Sequence, residues 1–218
     1  MLRYAVIGLG NFGSYLATRL HENDCEVLAI DSSPDKAEAV KSFVDKTVIL
    51  DATDRRALSA MSLETYDGVI LSLGDRIEAS VLCALHLREL GVRNIMAKAI
   101  NDDHGRILSR LGVSEIIYPE KDMAIRLANQ LSWKNVIEYI PLAPGYTIME
   151  IALPKDLIGK TLRESQLRAR FNVEVIAVKE LVPPRVNLVP APDTVLKDSD
   201  VLVVLGKDKD LEKIRREG

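Results

Sequence analysis

The chain has 218 residues, 47% of them hydrophobic and 28% charged, with a formal net charge of −3. This composition is typical of a soluble globular protein with one large domain or two small ones. The weakly acidic balance argues against nucleic-acid binding, and no apolar run approaches the ~20 residues that span a bilayer. Because strand-like sequence begins directly after Met1, we expect no signal peptide. Two cysteines without a Cys-x-x-Cys pair fit a reducing, cytoplasmic location.

The first predicted strand, Tyr4–Ile7, runs into a Gly-x-Gly-x-x-Gly motif formed by Gly8, Gly10 and Gly13, with a helix beginning near Phe12. In nucleotide-binding folds the first glycine allows a tight turn and the second lets a phosphate approach the backbone. The third glycine lets the helix pack against the strand. Free N–H groups at the start of the helix then face the anion, so the motif predicts a phosphate site.

The second predicted strand, Val27–Ile30, ends at Asp31, 18 positions after Gly13. That offset is close to the roughly 20 residues expected for the carboxylate that binds a ribose hydroxyl in such folds. The pair of signals predicts a nucleotide with an adenosine-type ribose and disfavours the 2′-phosphate of NADP. Ser32 or Ser33 is expected to cap the helix that begins at Pro34.

The alternation of strands and helices continues through the first ~135 residues. The further predicted strands are Thr47–Leu50, Val69–Leu73, Ile95–Lys98 and Ile116–Tyr118, and the helices start near Asp54, Arg76, Asp102 and Glu120. Hydrophobicity within the strands is continuous rather than alternating, which indicates that both faces of the sheet are covered. The fold class predicted is α/β, a Rossmann-like doubly wound parallel sheet.

The pattern changes after Trp133. Helical periodicity continues to about Ile140, and the segment Pro141–Gly145 then breaks it. The elements predicted beyond it are strands at Thr147–Leu153, Val173–Lys179 and Val201–Leu205, a short helix at Thr161–Ala169 and a charged helix at Asp208–Arg216. We therefore predict a nucleotide-binding domain at residues 1–135 and a smaller α+β lobe at residues 136–218, with the boundary between Ser132 and Gly145.

Ligands of doubly wound sheets bind outside the carboxyl ends of the strands, near the point where the strand order reverses. Small and polar residues occupy these ends throughout the first domain. The predicted nucleotide-binding residues are Gly8, Gly10, Asn11, Phe12, Gly13, Asp31, Ser32, Asp51, Ala52, Thr53, Ser72, Leu73, Gly74 and Lys98.

Several of these residues also have a structural interpretation. Asp51 and Thr53 are alternative caps for the third helix, and Ser72 and Gly74 are alternative turn residues. For Lys98, which ends an apolar strand at the mouth of the pocket, we favour contact with an anion. Glu120 is either a ligand contact or an acid that interacts favourably with the start of its helix.

The Gly8–Gly13 motif, Asp31, the segment Pro119-Glu120-Lys121-Asp122-Met123 and the two-lobe layout resemble the cytoplasmic regulatory subunits of bacterial Ktr/Trk potassium transporters. These subunits are built from a regulator of potassium conductance (RCK) domain. The resemblance implies homodimers that assemble into a homo-octameric ring beneath a membrane-embedded potassium-translocating subunit. It also implies that ATP and ADP bind the N-terminal lobe and gate the pore, and that the chain lies at the inner face of the membrane through its partner.

The resemblance further implies that Glu120 helps to hold a cation, Mg²⁺ or another, beside the phosphates. Some members bind cyclic di-AMP in the C-terminal lobe, where Arg168 and Arg170 are the candidates and Glu174 opposes them. Many members carry an arginine where this chain has Asn11. That departure leaves ADP, AMP and NAD as alternatives to ATP.

The alternative function is a small NAD(H)-dependent oxidoreductase or a redox sensor. Hydride transfer would need a general acid or base near the nicotinamide. The three histidines, His21, His86 and His104, all lie in the first domain, where we expect them to be structural or exposed. We therefore expect no enzymatic activity.

Overall fold

A computed structural model describes residues 1–132 and 136–217. The chain divides into two compact units: Met1–Asp122 forms the first and Met123 begins the second. Residue 135, where the predicted domain boundary falls, lies outside the described residues.

The first unit is built on a six-stranded parallel sheet with the order β3-β2-β1-β4-β5-β6. Its strands are β1 (Arg3–Ile7), β2 (Glu26–Asp31), β3 (Lys46–Ile49), β4 (Gly68–Leu71), β5 (Ile95–Lys98) and β6 (Glu115–Ile117). The strand order reverses between β1 and β4: β2 and β3 lie on one side of β1, and β4, β5 and β6 lie on the other. The predicted α/β fold class is confirmed.

Helices follow the strands of this sheet in turn. They are α1 (Asn11–Glu22), α2 (Pro34–Val40), α3 (Arg55–Ser59), α4 (Ile77–Glu89), α5 (Asp102–Arg110) and α6 (Pro119–Ser132). Gly91 and Gly112 follow the ends of α4 and α5 with φ of +85° and +84°, a conformation typical of glycines that stop a helix. The sixth helix starts in the first unit and continues past Asp122 into the second.

Two separate apolar clusters cover the two faces of the parallel sheet. Ala5 and Ile7 of β1 belong to one cluster with residues of α3, α4 and α5, whereas Val6 belongs to the other with Ala17 of α1 and Val40 of α2. Successive strand residues point to opposite faces. Continuous hydrophobicity in the strands is therefore explained by burial on both sides, as the sequence predicted.

The second unit contains a five-stranded antiparallel sheet with the order β10-β9-β11-β8-β7. Its elements are β7 (Val136–Ala143), β8 (Tyr146–Ala152), α7 (Leu162–Ser165), α8 (Leu167–Phe171), β9 (Glu174–Leu181), β10 (Pro184–Leu188), β11 (Val201–Lys207) and α9 (Asp208–Glu217). A core of its own joins the sheet residues Met149, Ile151 and Leu202 to Phe171 of α8 and Leu211 of α9. The predicted smaller α+β lobe is confirmed.

Three local predictions in the second unit are wrong. The helix expected to run to about Ile140 ends at Ser132, and Val136–Ala143 forms a strand paired with β8. The single helix expected at Thr161–Ala169 is two short helices, because Gln166 between them has a left-handed φ of +48°. No strand was predicted between Lys179 and Val201, but Pro184–Leu188 forms β10, which occupies an edge of the sheet, where a strand can begin at a proline.

Candidate nucleotide site at the carboxyl edge of the parallel sheet

Backbone geometry requires glycine at the first and third positions of the motif. Gly8 has φ of +97°, and a Cβ there would lie 2.6 Å from the Ser72 carbonyl oxygen. A Cβ on Gly13 would lie 1.9 Å from the Gly8 carbonyl oxygen, so α1 packs directly against the loop. Both glycines therefore shape the loop.

Gly10 is different because its surroundings are open. It precedes α1 with φ of −72°, and in the described part of the chain a Cβ there would meet no heavy atom within 4 Å. Among the described residues no side chain caps α1, and its first turn holds no acidic residue. The N–H groups and the positive end of the helix dipole are therefore left for an anion.

Asp31 links the glycine loop to the start of α2. Its side chain is only 6% exposed, and its carboxylate accepts hydrogen bonds from Leu9 N at 2.7 Å and Ser33 N at 2.8 Å. A carboxylate has about four acceptor positions, so two remain for a ribose hydroxyl. Ser33 caps α2 by accepting a hydrogen bond from Lys36 N. Ser32, the residue after Asp31, is exposed. The ribose role of Asp31 stays a prediction.

Asp51 and Thr53, which follow β3, are not helix caps. Asp54 caps α3 by accepting from Arg56 N and Ala57 N, so the capping alternative for Asp51 and Thr53 is wrong. Asp51 instead accepts hydrogen bonds from Thr53 N and Thr53 Oγ1, at 2.9 and 2.8 Å. These bonds, the backbone one foremost, hold the pKa of Asp51 below its usual range. The exposed carboxylate is fixed at the edge of the sheet.

Two further residues are Ala52, which was predicted to bind the nucleotide, and Arg76, which was not. Ala52 is buried in the core, so its side chain supports the site from below. Arg76, which sequence reasoning missed, precedes α4, and its positive charge also lowers the pKa of Asp51. Asp51 follows β3 and Arg76 follows β4, so only the tertiary fold brings the two charges close enough to interact.

The loop after β4 closes against the glycine loop. Ser72 N donates to Ile7 O at 2.7 Å, and Leu73 is buried in the core. A Cβ on Gly74 would lie 3.2 Å from Lys98 Cε, so the small residue at this position accommodates the lysine stem. The loop therefore has a packing role, and ligand contact by Ser72 and Gly74 stays a prediction.

Lys98 and Glu120, which the sequence placed at the site in separate roles, form an ion pair with Nζ and Oε1 2.5 Å apart. The Lys98 side chain is 12% exposed and the Glu120 side chain 69%. The hydrogen bond from Lys98 lowers the pKa of Glu120. No group of three or more His, Cys, Asp or Glu residues within the described ranges could hold a metal ion. A cation at Glu120 would therefore need ligands from a phosphate or from a second subunit.

Arg168 and Arg170, the candidates for a second site, are each paired with a carboxylate. Arg168 Nε lies 3.2 Å from Glu174 Oε2, and Arg170 Nη1 lies 3.4 Å from Asp156 Oδ2. The Arg170 guanidinium also lies over the Phe171 ring, 4.9 Å from its centroid. Arg168 and Glu174 line a cavity of about 460 Å³, while Arg170 points to Asp156. Within one chain the two arginines therefore point to different carboxylates, and a second ligand site between two subunits stays a prediction.

Two titratable side chains of the first unit, His104 and Cys83, are buried. His104, expected to be structural or exposed, is 1% exposed, and burial lowers its pKa. Cys83 is buried, and burial raises the pKa of its thiol to about 12. Within the ranges that the structure describes, no helix is both long and apolar enough to cross a membrane.

A parallel sheet that reverses its order beside a glycine loop, with an uncapped helix and a carboxylate at the same edge, defines the Rossmann-type class of α/β proteins. Residues 4–119 match the TrkA-N domain and residues 147–217 match the TrkA-C domain. The chain therefore belongs to the TrkA-domain family that includes the Ktr system potassium uptake proteins.

Named relatives have nearly the same length as this chain. The Ktr system potassium uptake protein A of Bacillus subtilis (strain 168) is 36% identical over 216 residues, which cover 99% of this chain and 96% of that protein. The protein of the same name from Vibrio alginolyticus is 32% identical over 214 residues, covering 98% and 96%.

The solved GsuK RCK domain has the same fold, with a TM-score of 0.68 and 20% identity over 99% of this chain and 47% of that one. The GsuK channel bound to NAD has a TM-score of 0.67 at 20% identity, covering 99% of this chain and 39% of that chain. This chain thus spans about half, or less, of these two GsuK chains.

Proposed function

We propose that this chain is the nucleotide-binding regulatory subunit of a potassium uptake transporter, and that it controls a separate membrane-embedded potassium-translocating subunit from the cytoplasmic side. The observation that carries the proposal is the open, uncapped start of α1 at Gly10, on the same sheet edge as Asp31 and Lys98. Identity of 36% to a full-length Ktr potassium uptake protein supports the transporter context.

The order of the strands suggests how a nucleotide lies. A ribose at Asp31 sits at the end of β2, and the first phosphate meets the start of α1 beside β1. Lys98 ends β5, three strand positions from β2, or about 14 Å at ~4.8 Å per strand. The phosphate chain then runs over the β4 loop toward Lys98, so a nucleotide with two or more phosphates fits the full edge. ADP, ATP and NAD meet that requirement.

The proposal includes a homodimer as the unit from which a larger ring is built. Met123, Leu127 and Leu131 recur at four-residue intervals on α6, and their exposed fractions are 58%, 50% and 78%. Residues at this spacing share one face of a helix, and an exposed apolar stripe is typical of an association surface. A second copy of α6 supplies a matching stripe, which favours a two-fold symmetric dimer.

Replacing Leu127 by lysine tests the dimer. The new charge lies at the centre of the stripe and should shift the mass in light scattering toward the monomer, because a charge buried between two apolar faces is costly. The matched control is Asn129→Lys, two positions further along α6 and therefore on the opposite side of the helix from Leu127. A dimer that survives Leu127→Lys contradicts the assignment.

The control and the test variant each replace a neutral residue by lysine on the same helix, so a difference between them reports the stripe and not the net charge. Asn129→Lys should keep the mass of the wild-type protein. Circular dichroism of both variants checks that each is folded before the masses are compared.

Nucleotide binding is tested by thermal-shift titration of the purified chain with ATP, ADP, AMP, NADH and cyclic di-AMP, with and without Mg²⁺. A ligand that binds only the folded state raises Tm by mass action. Shifts with ADP or ATP that Mg²⁺ enhances support the proposal. A shift confined to NADH does not separate a regulatory subunit that binds NAD from the oxidoreductase or redox sensor, to which we assign no catalytic residue.

Control of transport needs a second assay. The chain is added to vesicles that contain the membrane subunit, and ⁸⁶Rb⁺ uptake is compared between ADP and ATP. Equal uptake with both nucleotides and without either refutes a regulatory role. Cyclic di-AMP is not part of this proposal, because Arg168 and Arg170 are each paired with a carboxylate, and its arm of the titration tests that exclusion.

A further inference from the structure

Lys98 is largely buried, whereas its partner Glu120 is largely exposed. The lysine stem lies against the β4 loop, where a Cβ on Gly74 would be 3.2 Å from Lys98 Cε, and the side chain is 12% exposed. Glu120 belongs to the first turn of α6, and its side chain is 69% exposed. An incoming anion would therefore reach a largely buried lysine side chain by displacing an exposed carboxylate.

The ion pair and a nucleotide phosphate compete for the same charge. With its carboxylate 2.5 Å from Lys98 Nζ, Glu120 neutralises the lysine at the end of β5. The first phosphate, at the start of α1, is bound by backbone N–H groups and leaves this pair intact. A second or third phosphate, further along the edge, meets Lys98 only after Glu120 has moved away.

We propose that Glu120 is an internal competitor for the phosphate chain, so that nucleotides with two or more phosphates exchange the Lys98–Glu120 pair for a Lys98–phosphate contact and AMP does not. The inference rests on the proposed function, because it assigns a regulatory contact to the same nucleotide site. The number of phosphates, and not the adenosine, therefore determines whether the Lys98–Glu120 ion pair is broken.

Among the described residues, the first turn of α6 takes part in a second ion pair besides Lys98–Glu120. The second pair joins Lys121 Nζ to Asp102 Oδ1 at 2.7 Å and lies at the start of α5. Displacement of Glu120 leaves this second pair in place. The first turn of α6 is therefore where phosphate binding changes the ion pairing.

Isothermal titration of the full chain with ADP and AMP tests the competition, in EDTA so that no metal ion contributes. Glu120→Gln removes the competing charge, and ADP should then bind about three- to tenfold more tightly than to wild type, whereas AMP affinity stays unchanged. Asp102→Asn breaks the neighbouring ion pair without touching Lys98, so it should leave both affinities at their wild-type values.

Lys98→Met supplies the complementary measurement. It should remove most of the preference for ADP over AMP while leaving AMP affinity unchanged. Equal or weaker ADP binding by Glu120→Gln in EDTA overturns the inference, and so does an ADP preference that survives Lys98→Met. Absence of any nucleotide binding by the wild-type chain is a separate result, because it refutes the proposed function itself.

Discussion

An added methyl group should have different effects on two glycines of the same motif: it should lower stability at Gly13 and ADP affinity at Gly10. In Gly13→Ala the new Cβ would lie 1.9 Å from the Gly8 carbonyl oxygen, so α1 must move away from the loop by about 1 Å or more. Overpacking of this kind costs about 1–3 kcal/mol. For a chain of this size each kcal/mol lowers Tm by about 2–4 °C, which gives a loss of about 2–12 °C.

In Gly10→Ala the new methyl group meets no heavy atom of the described residues within 4 Å. Alanine caps a helix less well than glycine, but it also reduces the entropy of the unfolded chain, and these effects of about 0.5–1 kcal/mol oppose each other. We expect Tm to change by less than about 2 °C. The methyl group fills the space that a phosphate needs, so ADP affinity should fall at least about tenfold, or 1.4 kcal/mol.

Thermal melts followed by circular dichroism and isothermal titration with ADP measure the two quantities separately. The reasoning requires that Gly13→Ala loses stability and that Gly10→Ala loses affinity at nearly constant stability. Wild-type ADP affinity in Gly10→Ala would mean that the phosphate does not approach the backbone at this residue. An unchanged Tm in Gly13→Ala would refute the close packing of α1 on the loop.

Three further results are expected. Asp31→Asn should lower both Tm and nucleotide affinity, because one of the two backbone N–H donors now faces an amide group, at a cost of about 1–3 kcal/mol; melts and titration check both. Burial lowers the pKa of His104, so below about pH 6.5 the unfolded chain takes up a proton that the folded chain does not. Stability to urea should therefore fall as the pH is lowered from about 7 to 5, and it should fall less steeply in His104→Gln. Asn172 has a left-handed φ of +57° and donates a hydrogen bond to Asp210. Asn172→Gly loses only the hydrogen bond, whereas Asn172→Ala also places a residue that disfavours this φ, so the alanine variant should unfold at a lower urea concentration.

The parallel sheet was predictable because burial on both faces leaves a strong local pattern. Each strand of the first unit reads as a short apolar run, and the structure places all six near the predicted residues. The glycine spacing was equally informative, since φ of +97° at Gly8 and contact at Gly13 exclude other residues. A steric requirement for glycine concerns a single position, so it can be recognised in one sequence.

The antiparallel lobe was harder because its strands lack such a pattern. Val136, Ile137 and Ile140 have a spacing that suits a helix, yet they lie in β7, where only Val136 is buried. The strand is specified by pairing with β8, which places Ile140 opposite Ile148. The edge strand β10 is largely exposed and starts at Pro184, so it shows little local propensity.

Within the site, local patterns identified the residues but not their partners. Asp51, Thr53 and Asp54 are all good capping residues, and only the backbone geometry selects Asp54. Lys98 and Glu120 are 22 positions apart, and their pairing depends on how the end of β5 lies beside the start of α6. Side-chain pairs of this kind are set by tertiary structure.

The resting site attracts anions mainly through its backbone. Asn11 is neutral, Lys98 is paired with Glu120, and Lys36 lies 4.0 Å from the Asp31 carboxylate, so these side chains add little net positive charge. The uncapped start of α1, equivalent to about half a positive charge, remains for the first phosphate. If the proposal holds, the adenosine and the first phosphate are bound by fixed elements, whereas a second phosphate must displace the Glu120 carboxylate from Lys98. We therefore expect the site to separate AMP from nucleotides with two or more phosphates.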